Sequence, residues 1–134
     1  MNTAFEATTH EITVQVRVEY LRQHSEPTLE RYLWAYHITI TNRGSETVQL
    51  LNRSWEITDA NGYTHLVHGV GVVGEQPVLQ PQASFKYSSA APLSTPTGFM
   101  VGTYHMQKLS TLEKFDIAVP AFSLDSPFQN LKRH

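Results

Sequence analysis

Apolar and polar residues alternate along much of this chain, and the alternation is clearest in residues 11–20 and 31–42. In the first segment, EITVQVRVEY, every second position from Ile12 to Tyr20 is apolar, and polar or charged residues lie between them. In the second segment, RYLWAYHITITN, aromatic and β-branched residues occupy alternate positions. A period of two sends successive side chains to opposite faces, which is typical of a β-strand with one buried face. Both segments are therefore predicted to be strands.

Five further segments have strand character and are separated by turn residues: 47–59, 63–68, 83–89, 98–106 and 114–122. Asn61 and Gly62 stand between the first two, and this pair is a strong hairpin signal because both residues tolerate a positive φ angle. No segment of ten or more residues shows apolar positions at helical spacing. Seven or eight short strands predict an antiparallel β-sandwich. We expect one domain over residues 1–134, with its core at about 10–125 and frayed ends at 1–8 and 123–134.

The amino-acid composition and net charge limit the functions that this chain is expected to have. The formal charge is −2, from ten basic and twelve acidic residues, so no basic surface for nucleic acid is expected. The chain has no cysteine, which excludes disulfides, thiolate metal sites and a cysteine nucleophile. No apolar run is long enough to cross a membrane, and the first residues do not resemble a secretory signal. We expect a soluble cytoplasmic protein that requires no cofactor and does not insert into membranes.

The sequence GVGVVGEQP contains the spacing G-x-G-x-x-G at Gly69, Gly71 and Gly74. In dinucleotide-binding folds this pattern opens a helix whose N-terminus binds the pyrophosphate. Here Pro77 and Pro81 follow within seven residues of Gly74. Proline removes a backbone donor and clashes inside a helix, so no long helix is expected after this loop. The pattern therefore does not predict a nucleotide-binding fold of that kind.

Two interpretations of the glycine loop remain. Successive backbone N–H groups of residues 69–74 could form a concave nest for a phosphate group, because glycine permits the necessary backbone angles. Alternatively, the glycines shape a tight crossover between two strands, with Val70, Val72 and Val73 in the core. Glu75 favours the second interpretation, since a carboxylate repels a phosphate unless Mg²⁺ bridges the two.

Histidines and carboxylates give no established catalytic or metal motif. His65 and His68 are three apart in a predicted strand, so they face opposite sides and cannot share one ion without a bulge. His37 and His105 lie on different predicted strands and could meet in the fold. The sequence contains no H-E-x-x-H and no G-x-S-x-G motif. No dedicated transition-metal site and no enzymatic activity are predicted, and direct binding of a divalent metal stays an alternative.

Aromatic residues on the predicted strands could stack a ligand, but aromatic side chains usually fill the core of a sandwich. We therefore assign Trp34, Tyr36, Trp55 and Phe85 to the core. Arg53 and Trp55 are two apart and should share one face of a strand. If that face is exposed, both residues are candidates for an interaction surface, because such surfaces are enriched in arginine and tryptophan. The edge strands of the sandwich could also pair with another chain.

Several motifs resemble the ApaG family, also called CorD. They are RY-x-x-AY at 31–36, WEITDANG at 55–62, GVVGEQP at 71–77, PLSTP-x-G at 92–98 and G-x-Y-x-M at 102–106. The resemblance covers residues 10–125 and implies a fold like immunoglobulin or fibronectin type III domains. It also implies a protein-interaction module associated with cobalt resistance and magnesium efflux. On Gly69, Gly71 and Gly74 it implies pyrophosphate or nucleotide binding.

The chain departs from the family pattern at two places. Ser54 stands where the family commonly has histidine, and Ala90-Ala91 stands where it commonly has Gly-Cys. No role of that histidine or cysteine is carried over to this chain. Our leading prediction is a non-enzymatic binding module that binds a protein partner, or a second copy as a homo-oligomer, through a sheet face or edge. The alternatives are a phosphate-containing small molecule at residues 69–74 and direct binding of a divalent metal.

Overall fold

A computed structural model describes residues 2–128 and shows nine β-strands. They are β1 (Asn2–Thr9), β2 (Ile12–Tyr20), β3 (Tyr32–Asn42), β4 (Val48–Asp59), β5 (Thr64–Val70), β6 (Val78–Leu79), β7 (Ser84–Leu93), β8 (Gly98–Lys108) and β9 (Lys114–Leu124). Two 3-10 turns, Arg22–His24 and Pro27–Leu29, lie between β2 and β3. The described residues contain no α-helix, and thus no helix long and apolar enough to cross a membrane.

The strands form two antiparallel sheets. The first has the order β1-β2-β3-β7, and the second has the order β5-β4-β8-β9. The two-residue strand β6 pairs with the beginning of β4, on the same side as β5. This arrangement confirms the predicted all-β antiparallel sandwich of the immunoglobulin or fibronectin type III class. The strand count is nine because the N-terminal strand β1 and the short β6 join the seven that the periodicity predicts.

Alternate residues of both sheets meet in one core. In β3 the even-numbered residues from Tyr32 to Asn42 are buried and the odd-numbered ones are partly exposed. Trp34 and Trp55 are 0% and 3% exposed, and Tyr36 is 7% exposed, while Phe85 is half-buried against the same cluster. The assignment of these four aromatic residues to the core is confirmed. Burial of each large apolar side chain stabilises the fold by about 1.5–3 kcal/mol before the entropy of ordering is subtracted.

A β-bulge in β4 decides which face each of its residues joins. Leu50 pairs with Met106 and Asn52 with His105, so the extra residue is Leu51. Before the bulge the even-numbered residues point inward, and after it the odd-numbered ones do. One inserted residue reverses the faces of a strand because its side chains alternate. Trp55 is therefore buried, and Ser54 lies on the outer face.

The expectation of frayed ends is wrong for the described residues. Strand β1 pairs with β2 along its whole length, from Asn2 opposite Glu19 to Thr9 opposite Ile12. At the other end, β9 continues to the fully buried Leu124, and the Ser126 hydroxyl donates to the Pro96 carbonyl at 2.6 Å. Met1 and residues 129–134 lie outside the described residues.

The two long sides of the sandwich are built differently. On one side β1 and β9 lie against each other: the Phe5 and Phe122 rings are 6.1 Å apart, and the Thr9 hydroxyl accepts the Ala118 N–H. On the other side β7 and β5 are the outermost strands of their sheets. The second of these, β5, is exposed at six of its seven residues.

Candidate functional site

The β4–β5 hairpin presents β5 at the edge of the second sheet. The Asp59 carboxylate accepts the N–H groups of Asn61 and Tyr63 at 2.9 and 3.1 Å and so closes the turn. Gly62 has a φ of 87°, whereas Asn61 is not in the left-handed region. The predicted hairpin is confirmed, and of the Asn-Gly pair only the glycine supplies the positive φ angle.

Strand β5 carries an exposed apolar surface. Leu66 is 64% exposed and Val70 68%, and the strand pairs only with β4 among the described residues. Of the ten large hydrophobic residues that are exposed in the described part, six lie in this region: Tyr63, Leu66, Val67, Val70, Val73 and Val78. Exposed apolar residues grouped on and beside an edge strand, rather than scattered singly, are typical of an interaction surface.

The chemistry of β5 differs from that of the other edges. Its sequence, THLVHGV, contains no Asp, Glu, Lys, Arg or Pro. By contrast, β7 carries Lys86 and Pro92, and β9 carries Lys114, Asp116 and Pro120. Charges and prolines on an edge strand prevent pairing with other chains. Strand β5 therefore lacks the residues that protect β7 and β9.

The glycine loop after β5 is a tight turn. The N–H of Val72 donates to the Glu75 carbonyl at 2.8 Å, and the N–H of Glu75 donates back to Val72 at 2.9 Å. The N–H of Gly71 donates to the Leu51 carbonyl at 2.8 Å. The N–H groups of Gly71 and Val72 in the loop, and of Glu75 just after it, are thus hydrogen-bonded within the protein. Phosphate binding at this loop stays a prediction.

Each glycine of the loop has a steric or a conformational reason. A Cβ on Gly69 would lie 2.7 Å from the Arg53 guanidinium carbon. At Gly71 a Cβ would lie 2.1 Å from the Glu75 carbonyl oxygen, and φ is +63°. Gly74 has a φ of +82°. The G-x-G-x-x-G spacing therefore follows from close approach and turn geometry.

The valines of the loop do not all enter the core, contrary to the crossover interpretation. Val72 is fully buried and anchors the turn, but Val73 is 55% exposed and Val70 is exposed on β5. The expectation is correct for Val72 alone. The other two valines extend the apolar surface of β5.

Arg53 and Trp55 share one face, as predicted, but it is the inner face. Trp55 packs edge-on against Tyr36, Tyr104 and Phe122. Because Trp55 is buried, its proposed place on an interaction surface is wrong. Arg53 is half-buried, and its Nη1 donates to the carbonyls of Val70 and Gly71 at 3.2 and 2.8 Å. It therefore fixes the end of β5.

Inside the core, the hydroxyls of Tyr87 in β7 and Tyr104 in β8 are hydrogen-bonded to each other. Burial is the largest cause that raises the pKa of Tyr87 and of Tyr104 above the usual value for tyrosine, and the Arg53 charge opposes it in both cases. Both phenols therefore stay protonated well into the alkaline range. This pair joins the two sheets through one polar contact inside an apolar core.

The histidines do not assemble a metal site among the described residues. His65 and His68 lie on opposite faces of β5, as the spacing predicts, because they pair with Ile57 and Ser54. His37 lies in the first sheet and His105 in the second, so they do not meet. No group of three or more His, Asp or Glu side chains in the described part could hold a metal ion.

A row of hydrogen-bonded side chains crosses the outer face of the second sheet, with one residue from each of β9, β8, β4 and β5. Asp116 Oδ1 lies 2.8 Å from His105 Nδ1, and His105 Nε2 lies 2.8 Å from Ser54 Oγ. On the other side, Ser54 Oγ lies 2.9 Å from His68 Nδ1. Sequence reasoning missed this row because Ser54 and His105 are 51 positions apart and no local motif joins them.

The first sheet carries a shorter row of the same residue types. His37 Nδ1 lies 2.7 Å from Ser88 Oγ, and His37 Nε2 lies 3.2 Å from Glu19 Oε1. Here the ring is reversed, because Nδ1 faces the serine and Nε2 faces the carboxylate. The two rows occupy the two outer faces of the sandwich.

Fold and surface together define an all-β sandwich with an uncharged, apolar edge strand. A family model described as the ApaG domain matches residues 22–108. Protein ApaG of Rhodospirillum centenum is 56% identical over 119 residues, which cover 89% of this chain and 91% of the relative. Protein ApaG of Parvibaculum lavamentivorans is 49% identical over 130 residues, covering 97% and 99%. The chain belongs to the ApaG family.

A solved structure is similar over the same extent. The crystal structure of the ApaA protein from Bordetella pertussis superposes with a TM-score of 0.85 at 39% identity, covering 90% of this chain and 98% of that one. The family resemblance inferred from the motifs is thereby confirmed, and so is its fold.

Proposed function

We propose that this chain is a protein-binding module that adds an extended segment of a partner protein to the edge strand β5. The observation that carries the proposal is a seven-residue edge strand without a charge or a proline, next to exposed apolar side chains. A strand edge offers unpaired N–H and C=O groups to an incoming strand. Partner recognition then combines backbone hydrogen bonds with contacts to alternate side chains.

The chemistry of β5 defines the partner segment. On the outer face the new strand meets Leu66 and Val70, and on the inner face it meets Val67. Cross-strand apolar pairs contribute about 0.2–1 kcal/mol each. The expected partner segment is extended, uncharged and apolar at alternate positions. Because Arg53 holds the end of β5 in place, the edge is ordered before the partner arrives, which reduces the entropy cost of binding.

The association with cobalt resistance and magnesium efflux that the family resemblance implies would then act through a protein. In this proposal the module binds a component of ion handling rather than the ion itself. Direct metal binding has less support, because the described residues form no metal-ligating group. Titration with Co²⁺, followed by its visible absorption bands, tests that alternative. Bands that vanish on replacement of His65 or His68 would establish it.

The edge proposal is tested by placing a photo-crosslinking amino acid at position 66 or at position 112. Leu112 is the matched control for Leu66, because the two side chains are 65% and 64% exposed but only Leu66 lies on β5. Illumination in cell lysate should give a discrete cross-linked product from position 66 and none from position 112. The product's mass distinguishes a different protein from a second copy of this chain. Equal products at both positions, or none at position 66, would overturn the proposal.

Leu66→Lys gives an independent test, because a charge on the edge opposes strand addition. The variant should lose the cross-linked product formed from a photo-crosslinker at position 67, and Leu112→Lys should keep it. Circular dichroism verifies that both variants are folded. Retention of the product by Leu66→Lys would show that the partner does not contact β5.

Phosphate binding at the glycine loop is the second candidate from the sequence. It is supported by the Arg53 guanidinium, which lies beside the loop. Isothermal titration with pyrophosphate, ATP and diadenosine tetraphosphate, with and without Mg²⁺, tests it. Heat of binding that Arg53→Gln removes would support a phosphate site. The absence of heat from all three ligands would eliminate it.

A further inference from the structure

We propose that Ser54 is a nucleophilic serine, activated by His105 as general base, which accepts acyl groups from small uncharged esters. The proposal does not rest on strand addition at β5, although Leu66 of that strand enters both. It rests on the row Asp116–His105–Ser54 on the outer face of the second sheet. The three side chains are joined by two hydrogen bonds of 2.8 Å, within the distance at which an activated nucleophile and its base are recognised.

The carboxylate determines the direction of the hydrogen bonds. Asp116 can only accept, so His105 Nδ1 carries the hydrogen and donates to it. The lone pair of neutral His105 is then on Nε2 and faces the Ser54 hydroxyl. This is the arrangement of a serine–histidine–aspartate triad, which is recognised by geometry and roles rather than by sequence order. On the first sheet His37 has the opposite orientation, with Nδ1 toward Ser88.

His68 is the fourth side chain of the proposed catalytic site. Its Nδ1 lies 2.9 Å from Ser54 Oγ, and it donates to Oγ because the serine's own hydrogen is directed at His105. A carbonyl carbon that approaches Oγ brings its oxygen into the same neighbourhood. The His68 N–H, on the exposed strand β5, can then donate to the oxygen on which negative charge develops.

Shallow depressions that are open to solvent flank Ser54 on both sides and bear on the substrate class. One, of about 250 Å³, has Leu66, Val101, Glu56 and Thr103 among its lining residues. The other, of about 340 Å³, extends past Asn52 and His105. The first suits a short aliphatic acyl chain and disfavours a carboxylate because of Glu56. The second leaves room for the alcohol.

The chemical step is balanced within the protein and its substrate. Ser54 Oγ forms a bond to the carbonyl carbon while the bond from that carbon to the alkoxy oxygen breaks. The serine proton passes to His105 Nε2 and then to the leaving alcohol. Water next attacks the acyl-serine, His105 accepts its proton, and the carboxylic acid leaves as Ser54 regains its hydrogen.

The test uses a biotinylated fluorophosphonate and p-nitrophenyl butyrate on the full chain. Mass spectrometry should locate the phosphonyl adduct on Ser54, and Ser54→Ala should abolish both the adduct and the release of nitrophenol above the buffer rate. Ser84→Ala removes an exposed hydroxyl that is hydrogen-bonded to Thr41 rather than to a histidine, and this control should retain the wild-type rate. An adduct elsewhere, or equal nitrophenol release from Ser54→Ala, would overturn the proposal.

Asp116 is a positioning residue in this proposal and needs its own readout. Asp116→Asn should lower the rate of adduct formation by about 100-fold or more, within the range of general-base contributions. It should also change the pH profile of that rate, and Asp116→Glu should restore part of it. Because the Asp116 side chain is 64% exposed, folding of the variants should be retained. A rate and pH profile unchanged in Asp116→Asn would contradict the assignment of His105 as base.

Discussion

The two long sides of the sandwich differ in how far the apolar residues of their outermost strands are buried. On the closed side, the inner residues Ile117, Val119 and Phe122 of β9 are each 1% exposed, because β1 and β2 pack against them. On the open side, Val67, the apolar inner-face residue of β5, is still 36% exposed, and the outer-face residues Leu66 and Val70 are more than 60% exposed. Apolar residues on a strand are therefore not sufficient to place it in the core. Burial also requires a facing strand.

The comparison bears on function because we propose that the open side receives another chain. On the closed side β1 and β9 contact each other, and β9 also carries charges and a proline. The open side leaves β5 unpaired on one side. The predictions below test this difference between the two sides, in order of decreasing expected effect.

Truncation of one apolar residue on each side should give very different losses of stability. Phe122→Ala should lower the free energy of unfolding by about 3–5 kcal/mol, because it leaves a cavity among aromatic rings. Leu66→Ala should change it by less than about 0.5 kcal/mol, because Leu66 is exposed. Urea unfolding followed by tryptophan fluorescence measures both. Similar losses would show that β5 is packed rather than open.

The Tyr87–Tyr104 pair should make the core sensitive to alkaline pH. Burial raises both pKa values above the 10.0 of an exposed tyrosine, so above about pH 10 the folded chain binds more protons than the unfolded chain. Stability should therefore be fully present below pH 10 and fall as the pH rises above it. Urea unfolding between about pH 8 and pH 11 measures this slope.

Tyr87→Phe should reduce that slope, although it also costs about 1–3 kcal/mol at neutral pH because the Tyr104 hydroxyl loses its partner. Tyr63→Phe, at a side chain that is 70% exposed, is the matched control. An equal reduction in both variants would show that the buried pair is not the cause.

The glycines beside β5 should differ in their tolerance of a methyl group. Gly71→Ala should destabilise the chain by more than about 2 kcal/mol, because φ is +63° and the Cβ would clash with the Glu75 carbonyl. Gly74→Ala should cost about 1 kcal/mol, since nothing lies within 4 Å and only the backbone angle is strained. Thermal unfolding of the two variants measures the difference in stability. Equal tolerance at both positions would contradict the turn geometry.

The smallest effect is expected at Arg53. Arg53→Gln removes the hydrogen bonds to the carbonyls of Val70 and Gly71, which should weaken the end of β5 locally by about 1 kcal/mol. Amide hydrogen exchange at residues 69–71 should become about five times faster, with little change on β9. Arg43→Gln, which loses one bond to the Thr13 hydroxyl, is the control. If exchange is unchanged, Arg53 does not hold the edge.

Periodicity predicted seven of the nine strands and the hairpin at Gly62 to within a few residues at most strand ends, with the largest error at the end of β7. It failed on β1, because residues 2–9 have only a weak alternation and become a strand through pairing with Ile12 to Glu19. It also could not show whether the face shared by Arg53 and Trp55 is exposed. The bulge at Leu51 reverses the faces of β4 midway.

The candidate sites depended even more on tertiary structure. The glycine spacing was visible in the sequence, but the reason for Gly69 is the Arg53 side chain, which reaches it from the neighbouring strand. The row through Ser54 needed both the bulge, which turns Ser54 outward, and the pairing of β4 with β8, which brings His105 beside it. Neither has a signature in local sequence.

The sequence by itself determined seven of the nine strands, the family and the sandwich class, because alternation and turn chemistry act between neighbours along the chain. Which edge stays open, which residues of β4 point outward, and which serine meets a histidine were decided by strand register and sheet packing. These depend on contacts between residues far apart in sequence, and a shift of one residue reverses the face of every side chain that follows.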